Sequence, residues 1–321
     1  MRRRPGFKKI LVYVCVLLTA GFADANGQYS SVSVSVSRRW APGKVILYRN
    51  QWVKLVVGNM PLVISVPHGG FMKPESIPDR DCKGGRMVRV TDSKTIQAAQ
   101  AISDAFFYRF HKRPYLIVSN IARTKVDQNR EEEFGTCGNK QAGYAWADFH
   151  NGIDTALALA VKQFGYALYI DLHGQGHKNR RLELGYSFSG PQLREMHQHD
   201  GDLGAYGRKS SLQNLLKSDH EATFRDLLWG KYAFGTLMYK EDIPATPSMQ
   251  DHYPAEGEPF FSGGYNTRRY TSSSYPDVFG WQIECNYVGV RDTKTNRMAF
   301  AKAFVSAYAK FLWKYEPSET K

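Results

Sequence analysis

The sequence predicts an α/β fold, a three-layer sandwich in which a mainly parallel mixed sheet carries helices on both faces. Three observations lead there. Four apolar runs of strand length stand at Pro61–Pro67, Tyr115–Val118, Ala167–Ile170 and Trp281–Cys285. Longer stretches with apolar residues at helical spacing separate them, and strands that alternate with helices in this way build parallel sheets. Apolar residues also make up 42% of the 321 positions, which suffices for a large core and excludes a disordered chain.

The first 25 residues are expected to leave the chain as a signal peptide. Arg2, Arg3, Arg4, Lys8 and Lys9 precede an apolar run from Ile10 to Ala23, and Ala23-Asp24-Ala25 has the small-x-small pattern of a secretory cleavage site. The run is shorter than the ~20 residues that span a bilayer, so cleavage is preferred to a membrane anchor. Residues 26–60 then read as an N-terminal arm and hairpin. Ser31–Ser37 alternates polar and β-branched residues like an edge strand or arm, and Val45–Tyr48 with Val53–Val57 reads as a strand pair.

From residue 61 to 321 a single domain is expected. Pro61–Pro67 is a buried strand ending at His68-Gly69-Gly70. Thr91-Asp92 reads as the cap of a helix to about Phe110, with Ile96, Ala99, Ile102, Phe106 and Phe110 on one stripe. Tyr115–Val118 is the next strand. Ala142–Phe164 is a long helix with Trp146, Phe149, Ile153, Leu157 and Val161 along one side, and Ala167–Ile170 is a strand running into Asp171-Leu172-His173-Gly174. The more polar section 182–259 holds short helical candidates near Ser211–Lys217 and Glu221–Trp229 and reads as an insertion over the sheet edge. Trp281–Cys285 is a late strand, and Asn296–Tyr315 a closing helix.

Lys and Arg outnumber Asp and Glu by 43 to 30, and loss of the leader lowers the net charge from +13 to +9. Such a surface suits anionic small molecules or acidic polymers. No zinc-finger spacing, recognition helix or aromatic RNA-binding signature accompanies it, so nucleic acid is not the expected partner. With Cys15 in the leader, Cys82, Cys137 and Cys285 remain, and an exported chain can form one bridge. Cys82 and Cys137 are the expected pair, because both lie in Gly-rich polar loops whereas Cys285 ends an apolar run. The chain has no Asn-x-Ser/Thr acceptor, so N-glycosylation is not expected.

Two buried strands end alike, in a histidine followed by glycine: His68-Gly69 and His173-Gly174. Ligands of open α/β sheets bind beyond the carboxyl ends of the strands, so both imidazoles should emerge at one edge, the glycines leaving room for a ligand at the backbone. Two histidines and a carboxylate form a catalytic zinc site. Asp92 and Glu75 are the candidates for that carboxylate, Asp92 being preferred although it also suits an ordinary helix cap. Asp171 lies two residues before His173, on the same face of a strand, where it can orient the imidazole. Asn129-Arg130 follows a strand and suits a carboxylate or oxyanion; Arg268, in the Gly-rich run 263–269, is a second anchor candidate. Glu284 stands in an otherwise apolar strand, as a general base or as a structural partner of Arg268 or Arg291.

PHGG at Pro67–Gly70, TD at Thr91-Asp92, VDQNR at Val126–Arg130, DLHG at Asp171–Gly174 and QIE at Gln282–Glu284 resemble, in this order, the motifs of the N-formylglutamate amidohydrolase family. The similarity runs from about residue 61 to about residue 290. That family is similar in fold to zinc carboxypeptidases and aspartoacylases. The resemblance therefore implies a phosphorylase/hydrolase-like sandwich, zinc on His68, Asp92 and His173, a substrate carboxylate held by Arg130 with Asn129 beside it, and Glu284 as the base. Gly69 stands where the family usually has Ser, and section 182–259 has no clear counterpart.

The expected function is that of a secreted, extracellular zinc amidohydrolase. It would cleave an amide in a small carboxylate-bearing substrate, an N-acyl amino acid or a peptide C-terminus, with Arg130 or Arg268 as anchor. The reading from a different class is a catalytically silent extracellular-matrix or binding protein, whose basic surface takes acidic polymer or mineral. No membrane span is expected once the leader is lost.

Overall fold

The computed structural model describes residues 40–82, 87–199, 201–218 and 221–317; the expected leader, its Cys15 and the Ser31–Ser37 run lie outside them. From Ala41 onward the chain forms one unit. Among the described residues its strands are β1 (Val45–Leu47), β2 (Val53–Val56), β3 (Leu62–Val66), β4 (Tyr115–Ser119), β5 (Ala167–Gln175), β6 (Leu182–Gly185), β7 (Ala245–Thr246) and β8 (Val278–Asn286). They make one sheet in the order β1-β2-β4-β3-β5-β8-β6-β7. The central strands β4, β3, β5 and β8 run parallel, while β2 and β6 are antiparallel to their inner neighbours β4 and β8.

Central parallel strands are covered on both faces, which is why β3, β4 and β8 are buried at every position. Alternate side chains divide between the faces. Ile64, Leu168, Ile170, Phe279, Trp281 and Ile283 share a core with the helices Thr95–Phe110 and Lys294–Tyr315. The Lys140–Phe164 helix covers the opposite face, where Gly152 sits over Ile117 close enough that even a Cβ would touch its side chain. This is the expected three-layer α/β architecture, and the hairpin is present as β1 paired with β2.

Three features differ from the sequence reading. Asp92 does not cap the first long helix: Lys94, with φ at 67°, is its N-cap, and the helix starts at Thr95. The Asp92 carboxylate is engaged by His173 and the Gly174 amide instead. Strands β5 and β8 each run nine residues, because they pair in parallel along their whole length. β5 therefore carries Asp171 and His173 past the apolar run that ended at Ile170, and Glu284 lies within β8 as its apolar surroundings indicated. Section 182–259 supplies β6 and β7, which extend the sheet past β8.

Cys82 and Cys137 are joined in a disulfide, and Cys285 is free and buried. Among the described residues, no helix is long and apolar enough to cross a membrane.

Candidate metal centre

The site begins with strand order. β3 and β5 are parallel neighbours with Ser65 in register with Asp171, so the residues following them meet at one sheet edge. There His68 Nδ1 lies 3.2 Å from His173 Nδ1. The third donor, Asp92 Oδ2, is 3.2 Å from His173 Nδ1 and 3.6 Å from His68 Nδ1. All three residues are buried. A tetrahedral zinc ion with bonds of ~2.0–2.1 Å holds its nitrogen and oxygen ligands about 3.3–3.4 Å apart, so this triangle fits such an ion.

Asp92 is fixed at the backbone as well. Its N–H donates to the His68 carbonyl at 2.9 Å, and its Oδ2 accepts the Gly174 N–H at 3.1 Å. Glu75, the other candidate for the third ligand, is exposed and outside the group.

Each imidazole turns its Nε2 toward a buried carboxylate. His68 Nε2 is 2.6 Å from Asp127 Oδ1, and His173 Nε2 is 2.8 Å from Asp171 Oδ2. An N–H···carboxylate contact at one nitrogen places the lone pair on the other, which is how metal-ligating histidines are oriented. Behind these carboxylates stand further donors. The Ser65 hydroxyl donates to Asp171 at 2.6 Å, and Arg123 Nε donates to Asp127 at 3.1 Å, with Arg80 3.6 Å away.

Electrostatics follow this arrangement. Burial alone would raise the Asp127 carboxyl, but the charge and hydrogen bond of His68, with Arg123 and Arg80, hold it well below the usual range. Burial would likewise raise Asp92, yet hydrogen bonds from His173 and His68 bring it down. For His173 burial favours the neutral ring, and the Asp171 and Asp92 carboxylates outweigh it and raise the pKa. Glu284 goes the other way. Burial pushes its carboxyl up to about 8, with His173 opposing and Asp92 and Glu183 reinforcing.

Glu284 occupies the register position of β8 opposite His173 on β5. Its Oε1 accepts a hydrogen bond from Gln282 at 2.9 Å, and among the described residues neither Arg268 nor Arg291 pairs with it. The three potential ligands and Glu284 line a cavity of about 300 Å³ whose wall also includes Arg123, Arg130 and Arg268. A larger groove of about 750 Å³, between the Thr95–Phe110 and Lys294–Tyr315 helices, contains none of these residues.

Arg130 and Arg268 are exposed at the cavity; Arg268 Nη1 donates to the Gly263 carbonyl at 3.1 Å. Asn129 also lines it, but its amide is engaged by the protein: Nδ2 lies 3.2 Å from His173 Nε2, and Oδ1 accepts the Asn266 N–H at 2.8 Å. The glycines after the histidines make room for the protein's own atoms. A Cβ at Gly69 would collide with Ile96 and Thr95, at Gly70 with the Asn120 backbone, and at Gly174 with the Arg291 guanidinium.

Sequence reasoning gave no role to Asp127 or Arg123. Nothing local in the sequence marks Asp127, whose partner His68 lies 59 positions away.

No protein-family profile and no curated protein matches the chain. Solved structures do. A gene product of Agrobacterium tumefaciens is 14% identical, with a TM-score of 0.46 over 82% of this chain and 96% of its own. The chain is also similar in structure to an N-formylglutamate amidohydrolase from Ralstonia eutropha JMP134, a member of the family its motifs resemble, at 10% identity and a TM-score of 0.47 over 83% of this chain and 97% of that one.

Proposed function

We propose that the protein is a zinc-dependent hydrolase of an amide bond in a small carboxylate-bearing substrate, acting outside the cell after export. The observation that supports it most is the convergence of His68 Nδ1, His173 Nδ1 and Asp92 Oδ2, with each imidazole backed by its own carboxylate. Two nitrogens and one oxygen on one side of a cavity are the donor set of catalytic zinc, which keeps a coordination position open. When bound, the ion supplies Lewis acidity to the scissile carbonyl and the attacking water.

The chain's own residues supply the rest. Glu284 lines the same cavity and acts as the base that takes a proton from water and returns it to the leaving amine. A dication held at the three donors favours the ionised form of Glu284, against the burial that raises its pKa. Arg130 and Arg268 present guanidinium groups at the cavity, where a substrate carboxylate can take two parallel hydrogen bonds. The Cys82–Cys137 bridge suits an oxidising compartment and so supports the export reading.

The deciding experiment combines metal analysis of the purified protein with a screen of N-formyl, N-acetyl and C-terminal peptide amides. About one zinc per chain, with hydrolysis that stops on chelation and returns with zinc, is the expected result. A chain that takes up no zinc and cleaves none of them would overturn the proposal and leave the matrix-binding alternative.

A further inference from the structure

One side chain holds three backbone carbonyls that belong to the neighbourhood of the site residues. Arg291, which is 3% exposed, follows the end of β8. Its Nε donates to the Cys285 carbonyl at 3.0 Å, its Nη2 to the Gln175 carbonyl at 2.9 Å, and its Nη1 to the Ser93 carbonyl. Cys285 is the residue after Glu284, Ser93 the residue after Asp92, and Gln175 the second residue after His173. Among the described residues no carboxylate forms an ion pair with this guanidinium. A buried cation with only neutral partners is costly, and what it gains here is three carbonyl acceptors from three separate segments.

The surroundings are built for it. Gly174 has no side chain where the guanidinium crosses β5, since a Cβ there would collide with Arg291 Cζ. The Arg291 carbonyl is itself held by Arg297 Nη1 at 2.6 Å. A planar fork reaches three acceptors at once with fixed angles, whereas the single nitrogen of lysine does not reproduce them.

We propose that Arg291 is a positioning residue for the metal centre, setting the relative placement of Asp92, His173 and Glu284 by tying together the three segments that bear them. This rests on the zinc reading above. It predicts that Arg291 controls metal affinity without touching the metal.

The test uses the full chain, stripped with a chelator and titrated with zinc alone against a chromogenic competitor. Arg291→Ala is expected to keep its far-UV spectrum and lose ten- to a hundredfold in zinc affinity, the usual cost of losing support behind metal ligands. Added guanidinium ion, at concentrations too low to denature, should restore part of that affinity in Arg291→Ala and have no effect on the wild type. A residue that only stabilised the fold would lower the melting temperature without showing such rescue. If Arg291→Ala does not fold, Arg291→Lys, which keeps the charge and most of the volume, takes its place and should still bind zinc at least tenfold more weakly. Wild-type protein that binds zinc, with variants matching it within twofold, overturns the role of Arg291 alone. Wild-type protein that binds none overturns the metal reading itself, and this role with it.

Discussion

His68 Nε2 lies 2.6 Å from Asp127 Oδ1, and both side chains are buried. The contact holds the ring so that Nδ1 faces His173 and Asp92. Asp127→Asn keeps the shape but loses the charge that fixes the tautomer, so zinc affinity should fall about ten- to a hundredfold with the fold intact. Competitive chelator titration measures it, and an unchanged affinity would assign Asp127 to structure alone.

Removing a ligand should act more drastically than removing its support. His68→Ala and His173→Ala are each expected to lose stoichiometric zinc and hydrolysis together while the far-UV circular dichroism persists, because β3 and β5 are held by the sheet ladder and not by these rings. Full zinc content in either variant would falsify the metal centre.

Glu284→Gln separates the metal from the proton transfer. Zinc content and substrate affinity should stay near wild type, and turnover should drop by about 100-fold or more, as expected for loss of a general base. Retained turnover would direct attention to another proton acceptor in the cavity.

The substrate's charge can be tested at Arg130. Arg130→Lys should raise KM for a carboxylate substrate about tenfold to a hundredfold while affecting its carboxamide analogue little, since only the anion loses a bidentate partner of ~1.5–3 kcal/mol. Equal changes for both substrates would shift the anchor to Arg268.

A prediction about stability comes from His150, which is buried with Nδ1 2.7 Å from the Tyr270 hydroxyl. Burial, helped by the Arg269 charge, pushes its pKa down to about 3, whereas in the unfolded chain it stays near the ordinary histidine value of about 6.5. Between those values the unfolded state binds a proton that the folded state refuses. Stability is therefore complete above about pH 6.5 and falls as the pH drops, by about 2 kcal/mol from pH 7 to pH 5 for this one group. Urea midpoints at both pH values should show a smaller gap in His150→Gln; an identical gap would place the pH sensitivity elsewhere.

Much of the architecture was legible because burial on both faces leaves continuous apolar runs, and β3, β4 and the start of β5 could be read directly from them. The histidines were legible because each interrupts such a run at its end. What escaped is what depends on distant partners. β6 and β7 are short and lack an apolar run, and they are strands only because β8 offers an open edge. Asp92 could be read both as a ligand and as a cap, because Thr-Asp before a helix has the local pattern of a cap, and only the arrival of β5 from 81 residues away shows where its carboxylate is engaged. Asp127 and Arg291 show no local pattern at all, since the partners that define them lie on other strands and loops.

The pairing of β5 with β8 behaves like a reading frame. His173 and Glu284 occupy odd positions of a two-step alternation whose even positions, Leu172 and Ile283, belong to the apolar core. One residue inserted into β8 ahead of Ile283 would send the Glu284 carboxylate into that core and Ile283 into the cavity, whereas two inserted residues would restore the sides. Chemistry and packing are thus written on the same strand in interleaved letters, and a frame that spoils one spoils the other.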